Sequence, residues 1–376
     1  MTSPDPRRNW FMPRVTVRGD HFFGRDNELY HLKERLRSGQ SVLVVGERRI
    51  GKTSLLAEGY RRLARSSQEY HLHLDAQSFS TGGRLLASLA EYLKDKEWPD
   101  SRVNQSHHHV NSDALIAALS RATSRDRQLT LFINDLDDLL IRSPEIEDGR
   151  HIVSFLRSIV ENGHIVVCAV AFQAIVMEPP TAMHAPLFNV FYPMTLRTFN
   201  EQDAWHLLTT NSERSGKKLT EQECHFIMEI AGRKPYHLQE LGYGLFESGF
   251  SSESANDYRP IFLEDAANQF AWTMQEQWGH TLKHLSAQQL MALVSALKGE
   301  PTNDPGSYSY LIKRGLLDEG DSQFTSMGTL FHTFVLEQHI ETQGEEVKGV
   351  LSSTIKGVAE SAMRAAVAAA VKAILL

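Results

Sequence analysis

One short stretch carries the residue types of phosphate chemistry. It runs from Gly46 through Glu47, Arg48, Arg49 and Ile50 to Gly51, Lys52, Thr53 and Ser54. The β-branched run Val42 to Val45 feeds it, and Ser54, Leu55, Leu56 and Ala57 open a helical pattern behind it. A G-x-x-x-x-G-K-T wording at a strand-to-helix turn is the setting of a P-loop. Glycines there let backbone N–H groups curl round a phosphate, and the helix N-terminus adds positive potential. Lys52 can then reach the terminal phosphates of a nucleotide and the Thr53 hydroxyl can hold Mg²⁺. The phosphate-side candidates are therefore Gly46, Arg48, Arg49, Ile50, Gly51, Lys52, Thr53 and Ser54.

A second group of acids follows the apolar run Leu129 to Ile133: Asn134, Asp135, Asp137 and Asp138. Carboxylates at the carboxyl edge of a parallel sheet sit where Mg²⁺ and an attacking water would be, which is the Walker B position. An h-h-h-h-D-[DE] register puts Asn134 where the magnesium-associated aspartate is expected and Asp135 where the catalytic acid lies. A neutral amide brings no charge to the metal. Either Asp135 serves the metal while Asp137 or another acid supports hydrolysis, or the site binds ATP and turns it over slowly; slow turnover is the reading adopted.

Upstream, Phe22, Phe23, Gly24, Arg25, Asp26, Asn27, Glu28 and Leu29 form a turn before an amphipathic helix, with Asp26 as its expected N-cap. About twenty residues before a P-loop, this wording resembles the F-x-G-R-x-x-E-L box that opens the nucleotide-binding domain of STAND and related AAA+ ATPases. The resemblance places Phe23, Gly24 and Arg25 on the nucleotide side. Further on, Gly232, Arg233, Lys234 and Pro235 resemble the G-x-P motif of the same family, with one extra residue in the spacing. Helix punctuation alone accounts for Gly232 and Pro235. The resemblance gives Pro235 a further role, packing on the nucleotide base and coupling a helical domain to occupancy of the P-loop.

These residues need elements to hold them. A βαβ pattern is carried by Tyr70 to Asp75, Arg84 to Lys94, Leu129 to Ile133 and His164 to Val170, and a strand is expected around Tyr192 to Leu196. His71 and His73 share one strand face without a third ligand and are read as core or edge histidines; His107 to His109 read as a solvated loop. Gln173 is the one polar group placed to sense a γ-phosphate and is not adopted. Glu178 to Leu187, with three prolines, read as an irregular loop. Helices follow from Asn200, near Thr220, from Pro235 and over 260–283. The stretch from Leu285 to Val335, with a turn at Glu319 to Asp321 and Phe324 and Thr325 leading to Leu330, resembles a winged helix.

The expected fold is α/β, a parallel-sheet P-loop core of the AAA+/STAND type followed by a helical lid, a winged-helix domain and a C-terminal helix. Its divisions are an extended arm over 1–20, the nucleotide-binding domain over 21–198, the lid over 199–258, the winged helix over 259–340 and an amphipathic extension over 341–376. A chain of 376 residues with 41% hydrophobic content supports that many packed parts. Its formal charge of −7 gives no general attraction to nucleic acid. From Thr281 to Ile340 four cations face six acids, a poor phosphate-binding footprint. Two cysteines, Cys168 and Cys224, fit a reducing cytoplasm and exclude a disulfide framework.

The resemblance implies a switch that holds ATP or ADP with Mg²⁺, oligomerises with its own copies and answers to a trigger or effector protein. The rival reading is a DNA-associated AAA+ ATPase of the archaeal-initiator type, against which the acidic balance argues; a third is a nucleotide-stabilised scaffold without turnover. For the alanine-rich tail from Val347 to Leu376 three readings stand: packing on its own winged domain, bundling with copies of itself, or contact with a membrane through its cationic helix.

Overall fold

The computed structural model describes residues 9–64, 70–76, 82–95, 115–116, 129–138, 146–163, 165–172, 189–249, 259–301, 304–318, 327–344 and 353–375. His107 to His109, Gln173, Glu178 to Leu187, Glu319 to Asp321, Phe324 and Thr325 lie outside the described residues. The chain divides into two compact units, one of Thr16–Leu196 and one of Met1–Val15 with Arg197–Leu376.

The first unit is built on five parallel strands: β1 (Val42–Gly46), β2 (Tyr70–Asp75), β3 (Leu129–Asn134), β4 (Ile165–Phe172) and β5 (Tyr192–Thr195), in the order β2-β3-β4-β1-β5. Every residue of β1, β3 and β4 is buried, as expected of a parallel sheet covered on both faces. Alternation then sorts the side chains. Val42, Val44, Phe132, Val166 and Cys168 meet the leucines of α1 (Asp26–Arg37) and α2 (Lys52–Leu63) on one face. Leu43, Val45, Leu131, Ile133 and Val167 meet α3 (Gly82–Asp95) and α4 (Ile146–Glu161) on the other. β1 is flanked by β4 and β5, so the P-loop leaves the carboxyl edge from an interior strand of the sheet.

One expectation changes at α1. The helix begins at Asp26 itself, with Arg25 at the N-cap and no side-chain cap bond. An aspartate in the first turn still meets the positive end of the helix dipole, while the Arg25 side chain is drawn into the P-loop.

The second unit is helical among the described residues. It contains α5 (Glu201–Arg214), α6 (Glu221–Ala231), α7 (Pro235–Glu247), α8 (Arg259–Lys283), α9 (Ala287–Leu297), α10 (Pro305–Arg314), α11 (Thr329–Gly344) and α12 (Ser353–Leu375). Its caps follow the sequence. The Asn200 side chain accepts from the Asp203 N–H, Thr220 and Glu223 close a capping box, and Pro235 takes the first position of α7. The core is aromatic: Trp278 meets Phe270, Phe331, Phe334 and the fully buried His237. His237 is kept neutral by burial, its pKa pushed well below the ordinary value, and its Nδ1 lies 2.9 Å from the Ala231 carbonyl.

α12 packs on this unit, with Met363, Val367 and Val371 buried and α6, α8 and α11 as its neighbours. That is the first of the three readings of the tail. No described helix is long and apolar enough to cross a membrane. The arm also packs: the described residues Asn9 to Val15 belong to this unit, and Phe11 is 1% exposed. The apolar pair Trp10 and Phe11, set among prolines and arginines, gives it the surface to do so.

The turn between α6 and α7 is the most constrained backbone here. Gly232 sits at φ 70°, ψ −165°, a region open essentially to glycine. The backbone of Gly328, just before α11, lies directly on Gly232 and Ala231, so that a Cβ at position 328 would overlap them. Phe199 N–H donates to the Arg233 carbonyl at 2.9 Å, and the Arg233 guanidinium pairs with Asp318 at 3.5 Å.

This packing makes a quantitative expectation. Gly328→Ala combines overlap with a positive φ and should destabilise the helical unit by roughly 2–4 kcal/mol. Gly315→Ala, also at positive φ but facing open space, should cost only about 1 kcal/mol. Thermal unfolding of the two variants beside the wild type measures the difference.

Candidate functional site

The P-loop joins the buried end of β1 to the start of α2. Gly46 is required by space: a Cβ there would lie 2.8 Å from the Leu196 carbonyl oxygen and 2.9 Å from Ile50 Cγ2. Gly51 is required by conformation, with φ 101° at the N-cap of α2. No side chain caps α2, so its first-turn N–H groups face the loop, an arrangement suited to an anion. Arg49 also adopts a left-handed φ of 61°.

Lys52, the first residue of α2, is only 9% exposed. Its Nζ donates to the carbonyls of Gly46 at 3.0 Å and Glu47 at 2.9 Å. Burial lowers the lysine pKa, and Asp137, Glu47 and Asp135 oppose that in decreasing order. The acid coupled most strongly to Lys52 is therefore Asp137. A strand register does not by itself rank the two acids, because it counts positions and does not show where a chain turns.

It turns at Asp135, which has a left-handed φ of 49°. The next residues start a helical turn that brings Asp137 back, 8% exposed, over the edge of the sheet. There the Phe172 N–H at the end of β4 donates to its carboxylate, and Phe172 pairs in register with Gly46 of the P-loop strand. Burial raises the Asp137 pKa, while Lys52 and the N–H bonds hold it down. Asp135 is pushed up to about 6, first by burial and then by Asp137, against the pull of Lys52. Asn134 donates from Nδ2 to Asp135 Oδ2 at 2.9 Å, and its Oδ1 is buried with no hydrogen-bond partner among the described residues.

Other candidates support the loop. Arg25, 5% exposed, donates from Nη2 to the Ile50 carbonyl at 3.2 Å and from Nη1 to Glu28 at 2.7 Å, tying the turn of Phe23 and Gly24 to the P-loop. Arg48 is exposed and stands over the Phe172 ring at 5.5 Å. Thr53 is half-buried in the first turn of α2, and Ser54 Oγ accepts from the Val17 N–H at 3.2 Å. Pro235 lies in the helical unit, half-buried at the start of α7.

The donor chemistry fits Mg²⁺. Thr53, Asp135, Asp137 and the unpartnered Asn134 Oδ1 offer hard oxygens, whereas no cluster of three or more His, Cys, Asp or Glu among the described residues forms a metal cage. A magnesium ion completed by phosphate oxygens and water suits such a sparse set. His71 and His73 of β2 are instead ring neighbours of Phe132 and Tyr60.

The raised Asp135 carboxyl sets a pH expectation for the metal-free chain. The folded state holds this proton more tightly than the unfolded chain, so stability falls as pH rises from about 4 through about 6 and stays reduced above. Asp135→Asn should therefore melt higher than the wild type at pH 8, with the advantage shrinking below pH 5. Melting curves across that range supply the check, since a pH-independent gain would reflect only the ease with which asparagine adopts positive φ.

Known families match both parts of the chain. The family described as "AAA ATPase domain" matches residues 21–167, and "Novel STAND NTPase 2" matches residues 101–287. A search of curated proteins finds no match. Among solved structures, a Walker-type ATPase of Pyrococcus abyssi is 14% identical with a TM-score of 0.58, covering 87% of this chain and 99% of its own. The ADP form of the ORC2 protein of Aeropyrum pernix is 14% identical with a TM-score of 0.48, covering 95% of this chain and 98% of its own. AMPPCP-bound DnaA of Aquifex aeolicus is 11% identical with a TM-score of 0.46, covering 95% of this chain and 98% of its own. At such identities the likeness is one of fold. Two family matches that overlap and run from the box before α1 into the helical unit agree with the loop geometry, and together they identify a STAND-type AAA+ ATPase domain within residues 21–287.

Proposed function

We propose that this protein is a nucleotide-operated switch that binds ATP or ADP with Mg²⁺, hydrolyses ATP slowly, and self-associates in one nucleotide state to signal to an effector. The observation that carries the reading is the buried Lys52 set over a glycine loop and coupled to Asp137 and Asp135. An ammonium so placed gains when phosphate oxygens replace the carbonyls of Gly46 and Glu47, because a full negative charge then faces it in place of a neutral dipole.

The acids divide the labour. Asp137, coupled to Lys52 and fixed by the Phe172 N–H, would hold the metal with the Thr53 hydroxyl. Asp135, with its pKa near 6, is ionised at neutral pH yet basic enough to take a proton from water, which is the range a general base needs. Asn134 orients that carboxylate through its amide and adds no charge to the metal. A metal bound with one fewer carboxylate supports slow turnover, the pace suited to a timer rather than a motor. Arg25 keeps the loop closed by holding the Ile50 carbonyl.

The switching part rests on family resemblance, in which Pro235 is the residue through which the helical unit responds to the base. A ligand moves a two-state equilibrium only by as much as it favours one state, so ADP and ATP must bias the helical unit differently. The cytoplasm is the compartment proposed, and the acidic balance of residues 281–340 favours a protein effector over DNA.

Two measurements test this reading. Lys52→Ala should weaken ATP-analogue binding by roughly tenfold to a hundredfold, a loss of about 1.4–2.8 kcal/mol, and remove ATP hydrolysis above background. Equal hydrolysis by wild type and Lys52→Ala would reject the ATPase assignment. Light scattering of the wild type with ADP and with a non-hydrolysable ATP analogue should give different particle masses; identical masses would reject the switch.

A further inference from the structure

The same short segment is fastened at one end to α7 and at the other to α2. In the helical unit, Asn9 Nδ2 donates to the Tyr243 carbonyl at 3.0 Å, Met12 N–H to Gln239 Oε1 at 2.8 Å, and Arg14 to Glu240 Oε1 at 2.8 Å. Phe11 lies on the Cα of Gly242, where any Cβ would overlap its ring, and its centroid is 5.4 Å from that of Phe246. All of these partners belong to α7, the helix that begins at Pro235. The Trp10 N–H adds a bond to Ser215 Oγ at 2.8 Å.

Five residues beyond Met12 the chain is fastened again. In the nucleotide unit, Val17 N–H donates to Ser54 Oγ at 3.2 Å and Gly19 N–H to Glu58 Oε2 at 3.0 Å. Both partners belong to α2, the helix that begins at Lys52. Glu58 is a firm post: it is wholly buried, and although burial alone would raise its pKa, Arg61, the Gly19 N–H and Arg62 hold it at about 2. Between the two fastenings Val15 and Thr16 are exposed.

We propose that residues 9–19 are a conformational strap that links the helix carrying Pro235 to the helix carrying Lys52, so that a change at the phosphate site is transmitted to α7 through the N-terminal segment. The strap is a second covalent crossing between the units, besides the one at Leu196 and Arg197. Two crossings constrain relative motion more than one, and a tether of a few residues limits how far its anchors can part in any state. Nothing in the motifs of the P-loop or of the G-R-K-P turn requires such an arm. Its grip on α7 is also incomplete, since Phe11, Met12, Glu240, Tyr243 and Phe270 line a cleft of about 600 Å³ beside it.

The proposal rests on the nucleotide reading of the P-loop, and one experiment separates the two. About ten Gly and Ser residues inserted between Val15 and Thr16 leave every fastening contact intact and only lengthen the tether. Hydrogen exchange is followed in the full-length wild type and insertion variant without nucleotide, with ADP and with a non-hydrolysable ATP analogue. In the wild type both α2 and α7 should change protection on nucleotide addition. In the insertion variant the α2 response should persist while the α7 response falls by about fivefold or more, the low end of ordinary site-to-site coupling. Gly242→Val, which unseats Phe11 without touching the P-loop, should lose the α7 response in the same way. An α7 response as large in either variant as in the wild type, or none in the wild type beside a clear α2 response, overturns the strap. No α2 response in the wild type overturns the nucleotide reading itself, and the strap with it.

Discussion

A cation cannot be taken out of water alone. Lys52 is almost wholly buried, and the effective penalty for such a group is several kcal/mol unless dipoles and opposite charges meet it. Here two loop carbonyls accept from its ammonium while Asp137, Glu47 and Asp135 supply the field. Each partner is delivered by a strand end. Gly46 and Glu47 continue β1, Asn134 and Asp135 continue β3, and the Phe172 N–H that fixes Asp137 closes β4. These three strands are neighbours in the sheet, so the strand order β3-β4-β1 is what makes the lysine tolerable. A sheet with the same strands in another order would leave Lys52 buried without Asp137 and Asp135.

Much of this was legible because the signals are local. The P-loop lies in consecutive residues, and so does the capping pattern of Asn200 with Asp203 and of Thr220 with Glu223. The parallel core could be read from the continuous apolar runs of β1, β3 and β4, which only a sheet covered on both faces tolerates. What escaped depends on backbone direction or on contacts distant in sequence. The left-handed turn at Asp135 gives Asp137 its place beside Lys52, and no periodicity announces a positive φ at an aspartate. Arg25 replaced Asp26 at the cap of α1 because its guanidinium is held by Ile50, twenty-five residues on. The seat of Phe11 on Gly242 pairs residues more than two hundred apart, and a glycine inside a helix reads as a weak helix former rather than as a socket.

The helical unit shows the same dependence on close backbone approach. Gly232 in the α6–α7 turn and Gly328 before α11 lie on one another, so the turn that resembles the G-x-P motif is fixed from behind by the part of the chain that resembles a winged helix. Arg233 and Asp318 repeat that link with charge. Bare backbone against bare backbone leaves little room for the turn to deform by itself. A shift at Pro235 would therefore be shared with α11 and, through their packing, with α12.

The departure at Asn134 is best understood from the charge balance. Asp135 already sits near pH 6 because burial and Asp137 oppose its ionisation. An aspartate at position 134 would set another carboxylate within hydrogen-bond range of Asp135, where Asn134 Nδ2 now donates. Like charges at that separation cannot both ionise easily, and Asp135 would be driven towards its neutral form, useless as a base at neutral pH. The amide reverses the sign of that contact: it stabilises the carboxylate it touches and leaves its own Oδ1 as a neutral acceptor. On the proposed reading the site would give up one charge at the metal to keep a base beside it, a compromise that would leave nucleotide binding to Lys52 and the loop and hold hydrolysis to a slow rate.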